Sequence, residues 1–360
     1  MNVNFVPAES IKKETNFALT GNQLDTPFYM IAWNEKGQLT KIYDKVEDRH
    51  VLREGQCGNV LEIYEDNPLN YDAWDIDNFH VQKMKEAVLV KEAELVENGE
   101  LKCVVRFTYQ YHLSSIVQDM IVYRDSKRID FKTKVDWKET QKLLKTAFYT
   151  DIRSVKATYD IQFGHAERPT HWNNSWDWAK FEVCGHKWAD LSENGYGVSL
   201  LNNCKYGHSI KDNVIRLSLL KSAIFPDTTA DKGEHEFTYS LLPHSGNLIE
   251  GHTIEEANQL NLPAQLVSGY FKDQRSLIKI DGQGVQVDVV KKAEDEECLV
   301  VRLHECHGGR QKITLKSCSR ISYTGFSSLE FITSTPLGTH SMTSPSSVPK
   351  TATAFPKALS

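Results

Sequence analysis

Period-two alternation of apolar and polar residues runs through most of the chain, the pattern of half-buried antiparallel strands. Phe28 to Trp33 and Leu39 to Tyr43 flank Asn34-Glu35-Lys36-Gly37, a hairpin turn whose glycine can take the positive φ the turn needs. Leu101 to Leu113 alternates after an Asn98-Gly99 turn, and Ile116 to Tyr123 with Ile129 to Trp137 reads as a second hairpin around Asp125-Ser126. Between Glu139 and Lys145 the pattern allows one brief helical turn. Further strands are predicted over Gly197 to Leu201, Val214 to Leu219 and His235 to Leu242, the last ended by Pro243. One helix signal stands out: Thr253 with Glu256 three residues on is a capping box ahead of Ala257, Leu260 and Leu262, and Pro263 stops it.

After that helix come three short strands, Val285 to Val290, Leu299 to His304 and Lys312 to Leu315, separated by charged turns. From about Thr333 the composition shifts to Ser, Thr and Pro with few large apolar residues, so the segment cannot bury enough surface to offset its ordering entropy and is expected to be disordered. Many strands and almost no long helix predict an all-β sandwich of large antiparallel sheets. The expected organisation is a large β domain over 1–265, a small one over 266–332 and a tail over 333–360.

Composition adds exclusions. An apolar fraction of 40% and a charged fraction of 25% are ordinary for a globular protein. A net charge of -6 without a basic run argues against nucleic acid or an anionic membrane as partner. No apolar run reaches the roughly eighteen residues of a membrane span, and the N-terminus has neither a signal-peptide nor a transit pattern, so the expected location is the cytoplasm. The seven cysteines contain no CxxC pair and read as reduced thiols.

Two stretches could carry chemistry. Tyr159 to Trp188 holds four of the seven tryptophans and three of the thirteen histidines, mixed with Arg, Asn and Asp. Aromatic bodies beside hydrogen-bonding groups suit a sugar, whose faces are apolar and whose rim is hydroxyl; a buried aromatic core is the other reading. The second stretch is Asn70-Tyr71-Asp72-Ala73-Trp74-Asp75-Ile76-Asp77. If extended, it would set Asp75 and Asp77 on one face, and such carboxylates could hold hydroxyls or serve as acid and base; a solvated loop with a packed Trp is the alternative. His304-Glu305-Cys306-His307 looks metal-like, but a strand would turn its two histidines to opposite faces. No nucleophile elbow, Walker loop or dinucleotide fingerprint follows a strand.

PLNYDAWDIDNFH, FGHAERPTHWNNSWDWAKFEVCGHKWADLSENGYGVSLLNNCKYGHS, LSLLKSAIFPDTTADKGEHEFTYSLLPHSG and LVVRLHECHGG occur in that order. From about residue 20 to 316 the chain thereby resembles the C-terminal half of glycoside hydrolase family 38 α-mannosidases, nearest to the cytosolic and vacuolar type and its bacterial relatives. The resemblance implies a galactose mutarotase-like β-supersandwich followed by a small β-sandwich. It implies a retaining, exo-acting α-mannosidase that uses zinc and takes terminal α-mannose from oligosaccharides. In the family the nucleophilic aspartate and the zinc ligands belong to an N-terminal barrel and helical bundle, so no catalytic or metal residue is expected in this chain. Carried over residue by residue, the sugar-binding candidates are Asp72, Trp74, Asp75, Arg168, His171, Asn173, Trp176 and Asp177. Phe163, Phe181 and Trp188 are expected beneath them as core.

The chain is thus expected to be a C-terminal β region that completes a mannose cleft and is inactive alone. Its expected partners are the missing catalytic domains or a companion chain, with self-association a further expectation from an exposed apolar docking patch. The alternative from another class is a stand-alone carbohydrate-binding module, and a third, weaker reading is a mutarotase-like enzyme.

Overall fold

The computed structural model describes residues 16–265, 276, 278–295 and 297–317, together with strands at Ser322–Thr324, Glu330–Thr333, Thr339–Thr343 and Thr353–Phe355. Every strand pairing described is antiparallel, and the only helix of more than five residues among the described residues is Thr253–Asn261. The chain divides into two compact units. One comprises the described residues through Asp160 with Glu167–Ala264, the other Ile161–Ala166 and the chain from Gln265.

The larger unit is a sandwich. Its nine-stranded sheet runs in the order Gly164–Pro169, Lys156–Ile161, Trp188–Glu193, Tyr196–Asn202, Gly233–Ser245, Ile129–Trp137, Ser114–Tyr123, Lys102–Tyr111 and Val88–Asn98. A six-stranded sheet runs Val183–Cys184, Gly207–Lys211, Val214–Lys221, Lys142–Tyr149, Val60–Glu65, Met84–Glu86. Alternation sends Phe131 and Tyr239 from the first sheet, and Leu61, Ile63, Leu144, Phe148, Ile215 and Leu217 from the second, into one core. There the Phe131 ring stacks on Tyr239 with centroids 5.2 Å apart and meets Phe148 at 5.7 Å. A five-stranded sheet spanning Ala18–Thr20 to Arg49–His50 adds Leu24, Ile31 and Ile42 to the same core.

A network of polar groups sits within this core. Asn59 donates to Gln118 at 2.6 Å, Gln118 donates to Thr133 and to the Tyr239 hydroxyl, and that hydroxyl donates back to Asn59. All four residues are buried, so the ring of bonds satisfies donors and acceptors that burial would otherwise penalise.

Several local expectations change. The residues around Glu139 to Lys145 form no helical turn: Lys142–Tyr149 is a central strand, its alternation masked because both of its faces are buried. Pro243 does not end a strand, since Gly233–Ser245 continues through it. Pairing with the Ile129–Trp137 strand stops at Leu241, so beyond that point only Tyr196–Asn202 lies alongside and the missing N–H is tolerated. Thr253 opens the predicted helix without capping it. The preceding His252 takes a left-handed φ of 53°, and the Thr253 hydroxyl instead meets Ser199 Oγ at 2.7 Å. Trp188 is core as expected, whereas Phe163 is 47% exposed and Phe181 half-buried.

In the smaller unit Ile278–Asp281, Lys312–Ser317, Thr339–Thr343 and Glu330–Thr333 form a four-stranded sheet, and Val285–Lys292 pairs with Leu299–Glu305. Val301, Leu303, Ile313 and Leu315 make its core. His304 Nδ1 lies 2.8 Å from Asp288 Oδ2, which gives the His-Glu-Cys-His run a structural pairing. Most of the tail expected to be disordered lies outside the described residues. Where it is described, at Thr339–Thr343 and Thr353–Phe355, the backbone is strand.

His208 yields a test of the core. It is fully buried, its ring 5.9 Å from that of Tyr159, and neither ring nitrogen has a hydrogen-bond partner. Burial, reinforced by the charges of Arg168 and His186, pushes its pKa from 6.5 down to about 3. A folded value below the unfolded one means that the stabilising contribution is present above about 6.5 and is lost as pH falls toward about 3. Between pH 7 and 4 the native protein should lose roughly 3 kcal/mol more stability than a His208→Leu variant, measured by urea unfolding at each pH.

Candidate functional site

Of the eight candidate residues, Asp72, Trp74 and Asp75 lie on one loop and His171 and Asn173 on another, while Arg168 is in the strand Gly164–Pro169 and Trp176 and Asp177 are in the short helix Ser175–Trp178. The Asp72-to-Asp75 segment is a turn and not an extended run: the N–H groups of Trp74 and Asp75 both donate to the Tyr71 carbonyl, at 2.7 and 2.9 Å. Tyr71 itself has a positive φ of 52°. The turn changes the carboxylates' roles. Asp72 Oδ2 accepts the backbone N–H of Ile224 at 2.5 Å and of Phe225 at 3.2 Å, and Asp77 Oδ2 accepts that of Leu69 at 2.7 Å. Both therefore act as loop ties. Asp75 is exposed, and Trp74 stands 67% exposed at the tip.

The second group is partly assembled. Asn174 caps the short helix Ser175–Trp178: its Oδ1 accepts the Asp177 N–H at 2.9 Å and its side-chain amide donates to Asp177 Oδ2 at 2.8 Å. His171 Nδ1 is 3.6 Å from the same Asp177 oxygen. Arg168 lies over the Tyr159 ring, its guanidinium carbon 4.7 Å from the centroid, with Nη1 buried and unbonded. Asn173 is exposed and Trp176 is 79% exposed. Among the described residues no hydrogen bond links the Asp72 group to the Arg168 group. Their neighbours meet instead, the His80 and Phe181 rings lying 5.9 Å apart. With Tyr71, Trp74, Trp176, Trp178 and Phe225 all exposed, these loops carry much aromatic surface.

Sequence reasoning missed the sheet face next to these loops. Strand register places Glu62 opposite Lys145 and Ser209 opposite Arg216. Glu62, 0% exposed, accepts from Arg216 Nε at 2.8 Å, from Tyr64 at 2.6 Å and from Tyr149 at 3.0 Å. Lys145, 1% exposed, pairs with Glu182, and its Nζ lies 3.4 Å from His80 Nε2. His80 Nδ1 donates to the Asp77 carbonyl at 2.8 Å, which leaves Nε2 to accept. Burial, then the nearby Lys145 charge, lowers the His80 pKa to about 4, so its ring is neutral at pH 7. Burial and the Arg216 charge push Lys145 down to about 7, against the Glu62 and Asp66 carboxylates, which favour its charged form. These groups border a cavity of about 300 Å³ whose wall includes Trp172, Tyr64 and Phe181. A second hollow of about 410 Å³ lies against Ile76, Glu182 and Tyr206. None of the eight candidates lines either one. The available signal was the pattern of the strands: a Glu, a Lys and an Arg at alternating sites of otherwise apolar strands are charges inside a sheet.

Among the described residues no group of three or more His, Cys, Asp or Glu side chains could hold a metal ion. The zinc implied by the resemblance therefore has no fitting ligand set among them.

Residues 24–229 match the family described as glycosyl hydrolases family 38 C-terminal domain, and residues 284–337 match the family 38 C-terminal beta sandwich domain. Alpha-mannosidase G of Dictyostelium discoideum is 42% identical over 316 residues, 84% of this chain and 29% of that protein. Alpha-mannosidase 2C1 of Homo sapiens is 38% identical over 83% of this chain and 29% of its own length. An alpha-mannosidase from Enterococcus faecalis V583 shares the fold with a TM-score of 0.68 over 84% of this chain and 39% of its own, at 14% identity. The chain belongs to glycosyl hydrolase family 38, as its C-terminal β region. It spans 29% of the length of those curated relatives. No described helix is long and apolar enough to cross a membrane.

The Glu62 network sets a measurable cost. Arg216→Met leaves a buried carboxylate without its counter-charge and should lower stability by about 3–5 kcal/mol. Tyr149→Phe removes the hydroxyl that donates to Glu62 and accepts from Arg216 and should cost about 1–2 kcal/mol. Urea denaturation of both variants checks the order; equal costs would mean that Glu62 is held by something other than its charge partner.

Proposed function

We propose that the chain is the part of a family 38 α-mannosidase that forms one side of the sugar cleft, acting on terminal α-mannose of oligosaccharides. The observation that carries this is the family match across 24–229 together with 42% identity to a protein named alpha-mannosidase G. The exposed indoles of Trp74 and Trp176 fit that role, because an aromatic face stacks on the apolar face of a sugar ring. Arg168, His171, Asn173 and Asp177 offer hydroxyl partners beside one indole, and Asp72 and Asp75 hold or flank the other. Of these, Asp72 acts by tying its loop rather than by touching sugar, since its Oδ2 already takes two backbone N–H groups.

Retaining cleavage needs a nucleophile and an acid carboxyl about 5 Å apart. In our reading both of those groups, and the ligands of the zinc that polarises the site, are supplied by other sequence, either in the same protein or in a companion chain. The purified chain incubated with an aryl α-mannoside and zinc should then show no turnover above buffer; clear turnover would defeat this reading. In calorimetric titration with an α-mannobiose the chain should bind weakly, and Trp176→Ala should weaken binding by about tenfold, the loss of one stacking contact. Heat that is unchanged by that substitution would remove the Trp176 rim from the cleft.

A further inference from the structure

Both carboxylate oxygens of Glu182 and the hydroxyl of Ser218 are buried without a hydrogen-bond partner. The two residues line one hollow, of about 410 Å³, and neither borders the smaller cavity around His80. Register explains why Ser218 stays open. It stands between Lys145 on one neighbouring strand and Gly207 on the other; the Lys145 side chain pairs with Glu182, and Gly207 has no side chain to offer. A Cβ at position 207 would come within 3.0 Å of Ser218 Cβ and 3.3 Å of its Oγ, so the glycine keeps the hydroxyl uncovered. Buried polar atoms are seldom left unpaired, and three in one hollow mark a place built to receive hydrogen bonds.

The lining defines the kind of ligand. Glu182 has the Lys145 ammonium as counter-charge and Lys221 has Asp66, so the open need at this place is for hydrogen-bond partners rather than for charge. Asp231, the remaining charged group of the lining, is exposed and screened by water, and its Oδ2 accepts the Lys221 N–H at 3.3 Å. Two carboxylate oxygens can accept from two neighbouring hydroxyls of one ring, and a serine hydroxyl can donate or accept. The rest of the lining is largely apolar, with Ile76 and Val183. Tyr206 adds a ring that is 49% exposed and meets His186 edge-on, the centroids 5.4 Å apart. Apolar surface, an aromatic ring and a few converging polar groups together suit a sugar.

We propose that this hollow is a subsite for one neutral pyranose, whose adjacent hydroxyls donate to Glu182, whose next hydroxyl meets Ser218, and whose apolar face lies against Tyr206. The proposal rests on the reading of the chain as a mannose-handling protein and deepens it. None of the eight residues assigned to the cleft lines the hollow, so the β region contacts saccharide at two separate places.

Cys184 provides the reporter, because it is exposed and lines the hollow, and Cys204, exposed but outside the lining, is the internal control. The full chain is treated with iodoacetamide at rising concentrations of methyl α-mannoside, and peptide mass spectrometry reads the alkylation rate of each thiol. Saturable protection of Cys184 with a half-point of about 1–10 mM, and none of Cys204, is the expected result. Glu182→Gln would strip Lys145 of its counter-charge and risks unfolding, so the informative variant is Ser218→Ala, which removes only a hydroxyl that has no partner. It should fold like the native chain by circular dichroism and raise the half-point about three- to tenfold, the loss of one hydrogen bond. Trp176→Ala should leave the half-point unchanged. No protection up to about 100 mM, equal protection of both cysteines, protection by methylammonium chloride but not by the sugar, or indifference to a folded Ser218→Ala overturns the proposal. Mannobiose binding that depends on Trp176 would, in that event, leave the cleft reading standing.

Discussion

The larger unit depends on the meeting of aromatic side chains between its two principal sheets. Phe131 and Tyr239 come from adjacent strands of the nine-stranded sheet and stack, and Phe148 reaches them from the six-stranded sheet. Because a strand alternates its side chains, fixing Phe148 inward fixes Lys145 and Tyr149 outward, and fixing Leu217 inward fixes Arg216 outward. Register is therefore not free. A slip by one residue would drive Lys145 and Arg216 into the hydrocarbon between the sheets, where their desolvation could not be repaid by Glu62 or Glu182.

That same constraint explains why the outward face of the sheet is chemically unusual. Loops around His80 and Phe181 cover it, so groups that alternation sends away from the core are still withheld from water. Each cation there needs an acid, and the register supplies one: Glu62 stands opposite Lys145 and reaches across to Arg216. The result is a layer of paired charges between a dry core and a set of aromatic loops.

How far this was legible in sequence varied by scale. The all-β class and the family could be read, because alternation and long motifs such as RPTHWNNSWDW are dense signals. Strands buried on both faces could not: Lys142–Tyr149 has no clean alternation, so its role as a central strand was hidden. The backbone of the candidate loops was not legible. Asp72 looked like a ligand-facing carboxylate and proved to accept two backbone N–H groups from a segment over 150 residues away, a partner that no local pattern can announce. The Thr253 capping box failed for a similar reason, since Ser199 on a distant strand offered its hydroxyl a better partner than the helix end did.

The Asp72 tie has a consequence for recognition. One carboxylate oxygen joins the loop bearing Trp74 to the loop bearing Phe225, so two aromatic groups that belong to separate stretches of backbone share a single anchor. Independent loops would each lose conformational freedom when a ligand arrived, and that loss would subtract from the contact energy twice. Anchored together, they form one surface whose shape would be set before the proposed sugar approached. If these loops meet sugar as proposed, neutralising that oxygen would loosen the surface without removing either aromatic side chain.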